Sequence, residues 1–131
     1  MSEKNISVVQ EAFKCFSEGD LSGLLNVCAD DIVIDHRGPT RSLNKLYKGV
    51  DGVREFWTTL FTTQEVLEFK SLEFFSNQDR VVSLGHFHFL VIETGSDWAS
   101  DFAMAFTVKG GAISNWKGYF DMTAESIAYA V

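Results

Sequence analysis

The chain has 131 residues, a net charge of −7 and 46% hydrophobic residues, with twelve phenylalanines and one proline. This composition excludes a disordered chain, and the negative charge argues against nucleic acid as a partner because phosphate contacts need a basic surface. No apolar run approaches the roughly 20 residues of a membrane span, and the first residues lack the apolar core of a signal peptide. We therefore expect one cytoplasmic domain over 1–131 that does not act on membranes.

Apolar residues at helical spacing predict three helices in the amino-terminal half. The first helix is expected to end at Gly19, Asp20 is the expected N-cap of the second, and Asp51 is the expected N-cap of the third. A short strand at 32–36 separates the second helix from the third. The stripes that define the helices are Ile6, Val9, Phe13 and Phe16; Leu21, Leu24, Leu25 and Cys28; and Val53, Phe56, Trp57 and Leu60.

After Thr63 the apolar pattern changes to period two and predicts four long strands. The apolar parity changes between Phe69 and Leu72, which indicates a β-bulge near Lys70-Ser71. Asp121 is expected to cap a terminal helical turn at 123–130. The strands are expected at 65–75, 80–93, 98–109 and 112–120, with hairpin turns at 77–79, 95–97 and 110–111.

Three helices on one face of a strongly bent, mainly antiparallel sheet form an α+β cone, whose interior suits a small molecule. Twelve phenylalanines exceed what a small core needs, which indicates an apolar cavity, an apolar interface or both. A core filled solid by these side chains is the competing interpretation.

Cys15 and Cys28 lack CxxC or other metal-ligand spacing, so we predict reduced core thiols. We predict no metal and no other cofactor.

The chain resembles the NTF2-like superfamily, specifically its SnoaL-like and ketosteroid-isomerase-related branch. The resemblance covers essentially the whole chain. It rests on the segments VVQEAF, EGDLSGLLNVCADDIVIDH, KGVDGVREFW, DRVVSLG and AFTVKGGAISNWKGYFD, which together are fairly specific for the fold. They imply little about function, because this fold carries isomerases, dehydratases, cyclases, hydrolases and binding proteins.

The isomerase of this branch uses an aspartate base and two acidic hydrogen-bond donors that stabilise a dienolate. By the resemblance, the base falls on His36, and the tyrosine donor of the first helix falls on Ala12. The protonated-aspartate donor falls on Met104, and a supporting tyrosine of the third helix falls on Trp57. Neither oxyanion donor is present, so the resemblance implies that steroid isomerisation of the known kind is not the activity.

His36 is the candidate catalytic residue. Imidazole has an ordinary pKa near ~6.5 and can accept a proton at neutral pH. Strand alternation puts Ile34 and His36 on one face and Asp35 on the other, so a carboxylate partner must come from elsewhere. The alternative is a histidine that caps the strand end by binding backbone or water.

The segment GHFHFLV, residues 85–91, places His86 and His88 on one face and Phe87 and Phe89 on the other. Inward-pointing histidines would suggest a relay or a metal site. The helical side of such a sheet usually takes the more apolar face, which favours the alternative that the histidines point to solvent or to a dimer partner.

The remaining predicted cavity lining is apolar and aromatic, as expected for a site that holds a flat or bulky ligand by area burial. Strand parity assigns most of these residues, and the third helix supplies one. The predicted lining residues are Ile34, Trp57, Phe102, Met104, Phe106, Trp116 and Phe120.

Residues 37–48 contain four of the eleven lysines and arginines of the chain and no acidic residue. We hypothesise that Arg41 and Lys45, with Arg37 and Lys48, form a basic rim at the cavity mouth that favours a carboxylate- or phosphate-bearing ligand. The alternative is a solvated loop.

Three functions follow from these observations. The first is an isomerase, dehydratase or cyclase that uses His36 as general acid/base on a small apolar molecule. The second is binding of such a molecule without turnover. The third is an interaction protein in which the sheet forms a homodimer with a self-complementary contact.

Overall fold

The computed structural model describes residues 2–39 and 43–130. This part of the chain contains four helices and six strands. The helices are α1 (Ser2–Glu18), α2 (Leu21–Asn26), α3 (Gly49–Thr63) and α4 (Met122–Tyr129), and the strands are β1 (Cys28–His36), β2 (Lys45–Lys48), β3 (Gln64–Asn77), β4 (Arg80–Val91), β5 (Asp97–Lys109) and β6 (Ala112–Phe120).

The six strands form one sheet in the order β2-β1-β6-β5-β4-β3. All neighbouring strands are antiparallel except β1 and β6, which are parallel. The parallel pair sets Ile34 opposite Trp116, so the end of β1 lies beside the centre of β6. The fold is therefore the α+β arrangement that the sequence predicts, with helices packed on a mixed sheet.

The apolar stripe of α1 packs on the inner face of the sheet. Val9 and Phe13 are buried in one cluster with Ile34 of β1 and Phe106 of β5. Gly19 ends α1 with a φ of +71°, a left-handed conformation that glycine adopts without steric cost. The predicted first helix and its stop signal are confirmed.

The structure confirms one predicted N-cap, Asp121, and contradicts another, Asp51. The Asp121 carboxylate accepts a hydrogen bond of 3.0 Å from the Ala124 N–H, so its predicted role as the N-cap of α4 is confirmed. The predicted cap of α3 is wrong. This helix begins at Gly49, so Asp51 lies inside its first turn, where a carboxylate favours the positive end of the helix dipole.

The structure also adds a strand that the sequence does not predict. β2 pairs antiparallel with β1, and its Tyr47 is 1% exposed and donates a hydrogen bond to the Leu43 carbonyl. β2 has only four residues, one of them buried, which is too short an alternating pattern to predict a strand. β1 begins at Cys28, earlier than expected, and so Cys28 lies in a strand and not in the second helix.

Both cysteines are free and buried, as predicted. Burial raises the pKa of the Cys28 thiol to about 11, so this thiol stays protonated at neutral pH.

β3 is an edge strand that carries two irregularities. Its pairing with β4 shifts register between Ser71 and Glu73, beside the predicted bulge, and again between Val66 and Glu68. Phe69 lies between the two shifts and pairs with Phe87 on the inner face. The two bulges bend the strand around the helices.

The outer face of the sheet carries several exposed apolar side chains. Phe75 is 53% exposed and Tyr119 is 50% exposed, and Leu72 protrudes nearby on β3. Such surface is typical of protein contacts, and the homodimer through the sheet stays a prediction. In the described part of the chain, every helix is too short or too polar to cross a membrane.

Candidate functional site

A cavity of about 60 Å³ lies between the helices and the inner face of the sheet. This volume holds roughly four to six water molecules. Aromatic rings form most of its wall, and His36, Gln64 and Glu125 contribute polar side chains. The interior of the cone is therefore largely filled by aromatic rings but is not solid.

His36 closes one end of this cavity from the last residue of β1. Its ring stacks on Phe120, with 5.7 Å between centroids, and lies 5.3 Å from the Phe56 ring. Its Nε2 atom is buried and, among the described residues, has no hydrogen-bond partner. A buried polar atom of this kind is rare in folded proteins and often marks a functional site.

Burial lowers the pKa of His36 from 6.5 to about 4, and the nearby Asp35 carboxylate opposes this shift. The desolvated cavity disfavours the charged imidazolium, so the ring is neutral at pH 7. A neutral imidazole can accept a proton at one ring nitrogen.

The Asp35 carboxylate pairs with Arg37 at 2.6 Å and with Lys117 at 3.6 Å. It therefore does not orient the His36 ring, as the strand alternation predicts.

A second polar group comes from the carboxyl-terminal helix. Glu125 of α4 is 1% exposed, and its Oε2 accepts a hydrogen bond of 2.9 Å from Nε2 of Gln64. The Trp98 indole donates to Oε1 of Gln64 at 2.8 Å. Because an indole N–H can only donate, it fixes the Gln64 amide with its NH₂ toward Glu125. The chain from Trp98 through Gln64 thus holds the Glu125 carboxyl in place.

Gly38 lies where the two ionisable groups face the same space. A β-carbon built on this glycine would lie 3.0 Å from Oε1 of Glu125 and 3.9 Å from Nε2 of His36. Both groups therefore lie beside Gly38 and within about 7 Å of each other.

Most predicted lining residues on β1, β5 and β6 do contact the cavity together with His36. These residues are Ile34, Met104, Trp116 and Phe120.

Three other predicted lining residues do not line the cavity. Trp57 lies against Phe61 and Phe16, with ring centroids 4.9 and 6.0 Å away. Phe106 is fully buried beside Trp116, at 5.3 Å. Strand parity gives the face on which a side chain lies, but not the depth at which it is covered by its neighbours.

Phe102, the third of these residues, is covered for a specific reason. A β-carbon on Gly85 would lie 2.4 Å from the Phe102 ring, so the ring occupies the space that the glycine leaves open. It stacks there on Phe69 at 5.2 Å and on Phe87 at 5.3 Å. Cross-strand pairing of Gly85 with Phe102 thus removes Phe102 from the cavity.

Two residues of the predicted basic rim, Arg37 and Lys45, are paired with carboxylates and are not among the residues that line the cavity. Lys45 lies on β2, where it pairs with Glu55 of α3 and its ammonium is 5.1 Å from the Tyr47 ring centre. Arg37 pairs with Asp35 on the other side of β1. Arg41 lies outside the described residues. The cavity wall therefore takes no charge from Arg37 or Lys45.

The paired histidines of β4 point outward, which confirms the favoured alternative. Nδ1 of His86 lies 2.9 Å from Asp101, and Nε2 of His88 lies 2.6 Å from Asp97. Within residues 2–39 and 43–130, no three His, Cys, Asp or Glu side chains are grouped to hold a metal ion.

Glu125 and Gln64 are the site residues that sequence reasoning misses. Gln64 is the first residue of β3, and Glu125 lies one turn after the N-cap of a short helix. One weak signal is present, since Glu125 shares a helical face with the apolar Ala128. Only the docking of α4 against the start of β3 brings the two side chains together.

A family model described as the SnoaL-like domain matches residues 9–116. No curated protein matches the chain. A similar solved structure is an NTF2-like protein from Burkholderia xenovorans, with 24% identity, coverage of 99% of this chain and 98% of that chain, and a TM-score of 0.91.

Two further similar structures contain small molecules. TerC, co-crystallised with polyporic acid, is 23% identical over 95% of this chain and 97% of its own, with a TM-score of 0.87. A Mycobacterium tuberculosis protein in complex with estradiol-17beta-hemisuccinate is 22% identical over 95% and 98%, with a TM-score of 0.78. At these identities the likeness shows the fold alone.

The lowered pKa of His36 predicts a pH dependence of stability. Between 6.5 and about 4 the unfolded chain binds a proton at this residue that the folded chain does not, so stability falls as the pH falls through this window. We expect urea unfolding of the wild type to lose about 2 kcal/mol more than that of His36→Gln across the window, after allowance for solvent screening. Equal losses in the two proteins would contradict the desolvated site.

Proposed function

The chain belongs to the SnoaL-like domain family, and from this premise we propose that it binds a small apolar carbonyl or hydroxy compound and moves a proton on it with His36. The observation that carries the proposal is the buried Nε2 of His36 in an aromatic cavity, which has no hydrogen-bond partner among the described residues. A ligand atom would supply that partner.

His36 would act as the general base. A neutral imidazole can take a proton from a carbon beside a carbonyl group or from a hydroxyl group. Because burial disfavours the imidazolium, the site would release this proton again to the ligand or to a second group. Isomerisation, loss of water and ring closure each need such a transfer between two atoms.

Glu125 would be the second proton-transfer group. Its Oε1 and Nε2 of His36 both lie within 4 Å of the β-carbon position of Gly38, so these two atoms are within about 7 Å of each other, and both residues line the cavity. One small ligand in the cavity could contact both. The hydrogen bond from Gln64 fixes the carboxyl, and prior positioning of a catalytic group lowers the entropic cost of reaction. This second group favours an enzyme over a simple binding protein.

The proposed chemistry differs from ketosteroid isomerisation in its oxyanion stabilisation. Ala12 is fully buried in the core, and Met104 lines the cavity. Neither side chain can donate a hydrogen bond to a developing enolate. The imidazolium that forms when His36 takes the proton could stabilise that charge.

The ligand class follows from the wall of the cavity. Aromatic rings hold flat apolar molecules by stacking and by area burial. The solved structures with polyporic acid and with the estradiol hemisuccinate belong to proteins of this fold, which supports a flat ligand with ring systems. Two of the three described cations expected at the mouth, Arg37 and Lys45, are paired with carboxylates, which favours a neutral ligand over an anionic one.

Binding without turnover is the second candidate function. The nearly complete aromatic wall favours it, because such a wall can hold a ligand by burial alone. The two functions differ in one respect: only an enzyme needs His36 to exchange protons with the ligand.

The first test measures deuterium uptake at the α-carbon of 1-tetralone in D₂O by NMR. We expect the wild type to accelerate the exchange and His36→Gln to lose about a hundredfold or more of that acceleration, since a positioned base contributes at least this much. His86→Gln, on the outer face, is the matched control and should exchange as the wild type does. If 1-tetralone raises the melting temperature while His36→Gln exchanges as fast as the wild type, the catalytic role is wrong.

The second test fills the space beside Gly38. Gly38→Ala would place a methyl group against Glu125 and near His36, so we expect the same exchange rate to fall about tenfold or more, since small displacements at a reacting centre are costly. Gly95→Ala is not a suitable control, because its φ of +73° would add strain. Gly118→Ala is unsuitable too, because Gly118 lines the cavity itself, so circular dichroism and the melting temperature serve instead to verify that Gly38→Ala is folded. Unchanged exchange in Gly38→Ala would show that the reacting ligand atoms lie elsewhere.

A further inference from the structure

A second concave surface lies on the other side of the cavity wall. We call it the outer groove. It has a volume of about 610 Å³ and lies between the end of α1 and the edge strand β3. Its apolar lining comes from Phe61, Val66, Leu67 and Ile92. A volume of this size is in the range of small-molecule sites, whereas the inner cavity, at about 60 Å³, is below that range.

The outer groove and the inner cavity share a wall that is one side chain thick. Phe16, Gln64 and Phe69 line both spaces. The Phe16 and Phe69 rings touch with centroids 5.1 Å apart and a tilt of 52°. These three side chains therefore lie between the two spaces.

The position of Phe69 makes this wall the part of the cone that is easiest to open. Phe69 lies on an edge strand between two register shifts, at Val66–Glu68 and Ser71–Glu73. An edge strand is held by hydrogen bonds on one side only, and bulges interrupt that ladder. Rotation of the Phe69 ring would therefore cost mainly its aromatic contacts.

We propose that the inner cavity and the outer groove are two compartments of one site for an elongated apolar ligand. A compact ring would lie beside His36, and an uncharged apolar extension would pass Phe16 and Phe69 into the outer groove. Glu65 and Glu68 also line that groove, so an anionic extension would be repelled. The inference rests on the proposed function for the ring that is bound beside His36, and adds the shape and charge of the rest of the ligand.

The test compares two fluorescent probes. N-phenyl-1-naphthylamine is neutral and elongated, and 2-naphthol is compact, with no extension that could reach the outer groove. Leu67→Glu and Ile92→Glu put a charge into the apolar part of the outer groove at exposed positions. Leu72→Glu is the matched control, since Leu67 and Leu72 are both exposed bulge residues of β3 and only Leu67 lines the groove.

We expect the Kd of N-phenyl-1-naphthylamine to rise about tenfold or more in Leu67→Glu and in Ile92→Glu, because the charge must be desolvated by the apolar extension. The Kd in Leu72→Glu should stay within about twofold of the wild type, and the Kd of 2-naphthol should stay within about twofold in all three variants. Circular dichroism would verify that each variant is folded. If one of the two groove variants did not fold, the other would still provide the test.

The proposal would be overturned if the wild type failed to bind N-phenyl-1-naphthylamine, if Leu67→Glu and Leu72→Glu weakened it equally, or if both groove variants left it unchanged. Equal losses for the two probes in the groove variants would also overturn it. Failure of this inference is distinct from failure of the proposed function, because probe binding involves no proton transfer. If the groove variants weakened only the elongated probe while His36→Gln still exchanged 1-tetralone as fast as the wild type, only the catalytic role would be refuted.

Discussion

The desolvation of the His36 imidazole is the constraint from which the chemistry of the site follows. Aromatic rings cover the His36 ring on two sides, and burial disfavours its charged form. Its Nε2 is buried, and no described residue satisfies it. Such an atom is costly to folding unless a water molecule or a ligand satisfies it.

The sheet explains how one cavity collects polar groups from distant parts of the chain. β1 ends inside the cone, so its last side chain enters the cavity from one end. The start of β3 and the start of β5 supply Gln64 and Trp98, and α4 supplies Glu125. These three side chains form a hydrogen-bonded series. Because the indole N–H can only donate, the Gln64 oxygen accepts from Trp98 and the Gln64 NH₂ donates to Glu125. The hydrogen bond from Gln64 thereby holds the carboxyl in place.

Much of the fold could be predicted because its signals are local. The helical stripe around Val9 and Phe13, the period-two strands and the Asp121 cap each depend on a few neighbouring residues. Alternation also places Ile34 and His36 on one face. The rest depends on contacts between elements: the Phe102 ring leaves the cavity because Gly85 lies opposite it on β4, and Glu125 meets Gln64 only when α4 docks. The spacing of residues along the sequence predicts neither the contact of Gly85 with Phe102 nor that of Gln64 with Glu125.

The most direct test of a desolvated imidazole at position 36 is its protonation, followed by NMR of ¹⁵N-labelled histidine across the pH range, with the His36→Gln spectrum to identify the signal. The ring is expected to remain neutral from pH 8 to pH 5 and to titrate with a midpoint of about 4. A midpoint near the ordinary value of 6.5 would show that the ring is hydrated. The buried, unsatisfied Nε2 from which the site is argued would then be wrong.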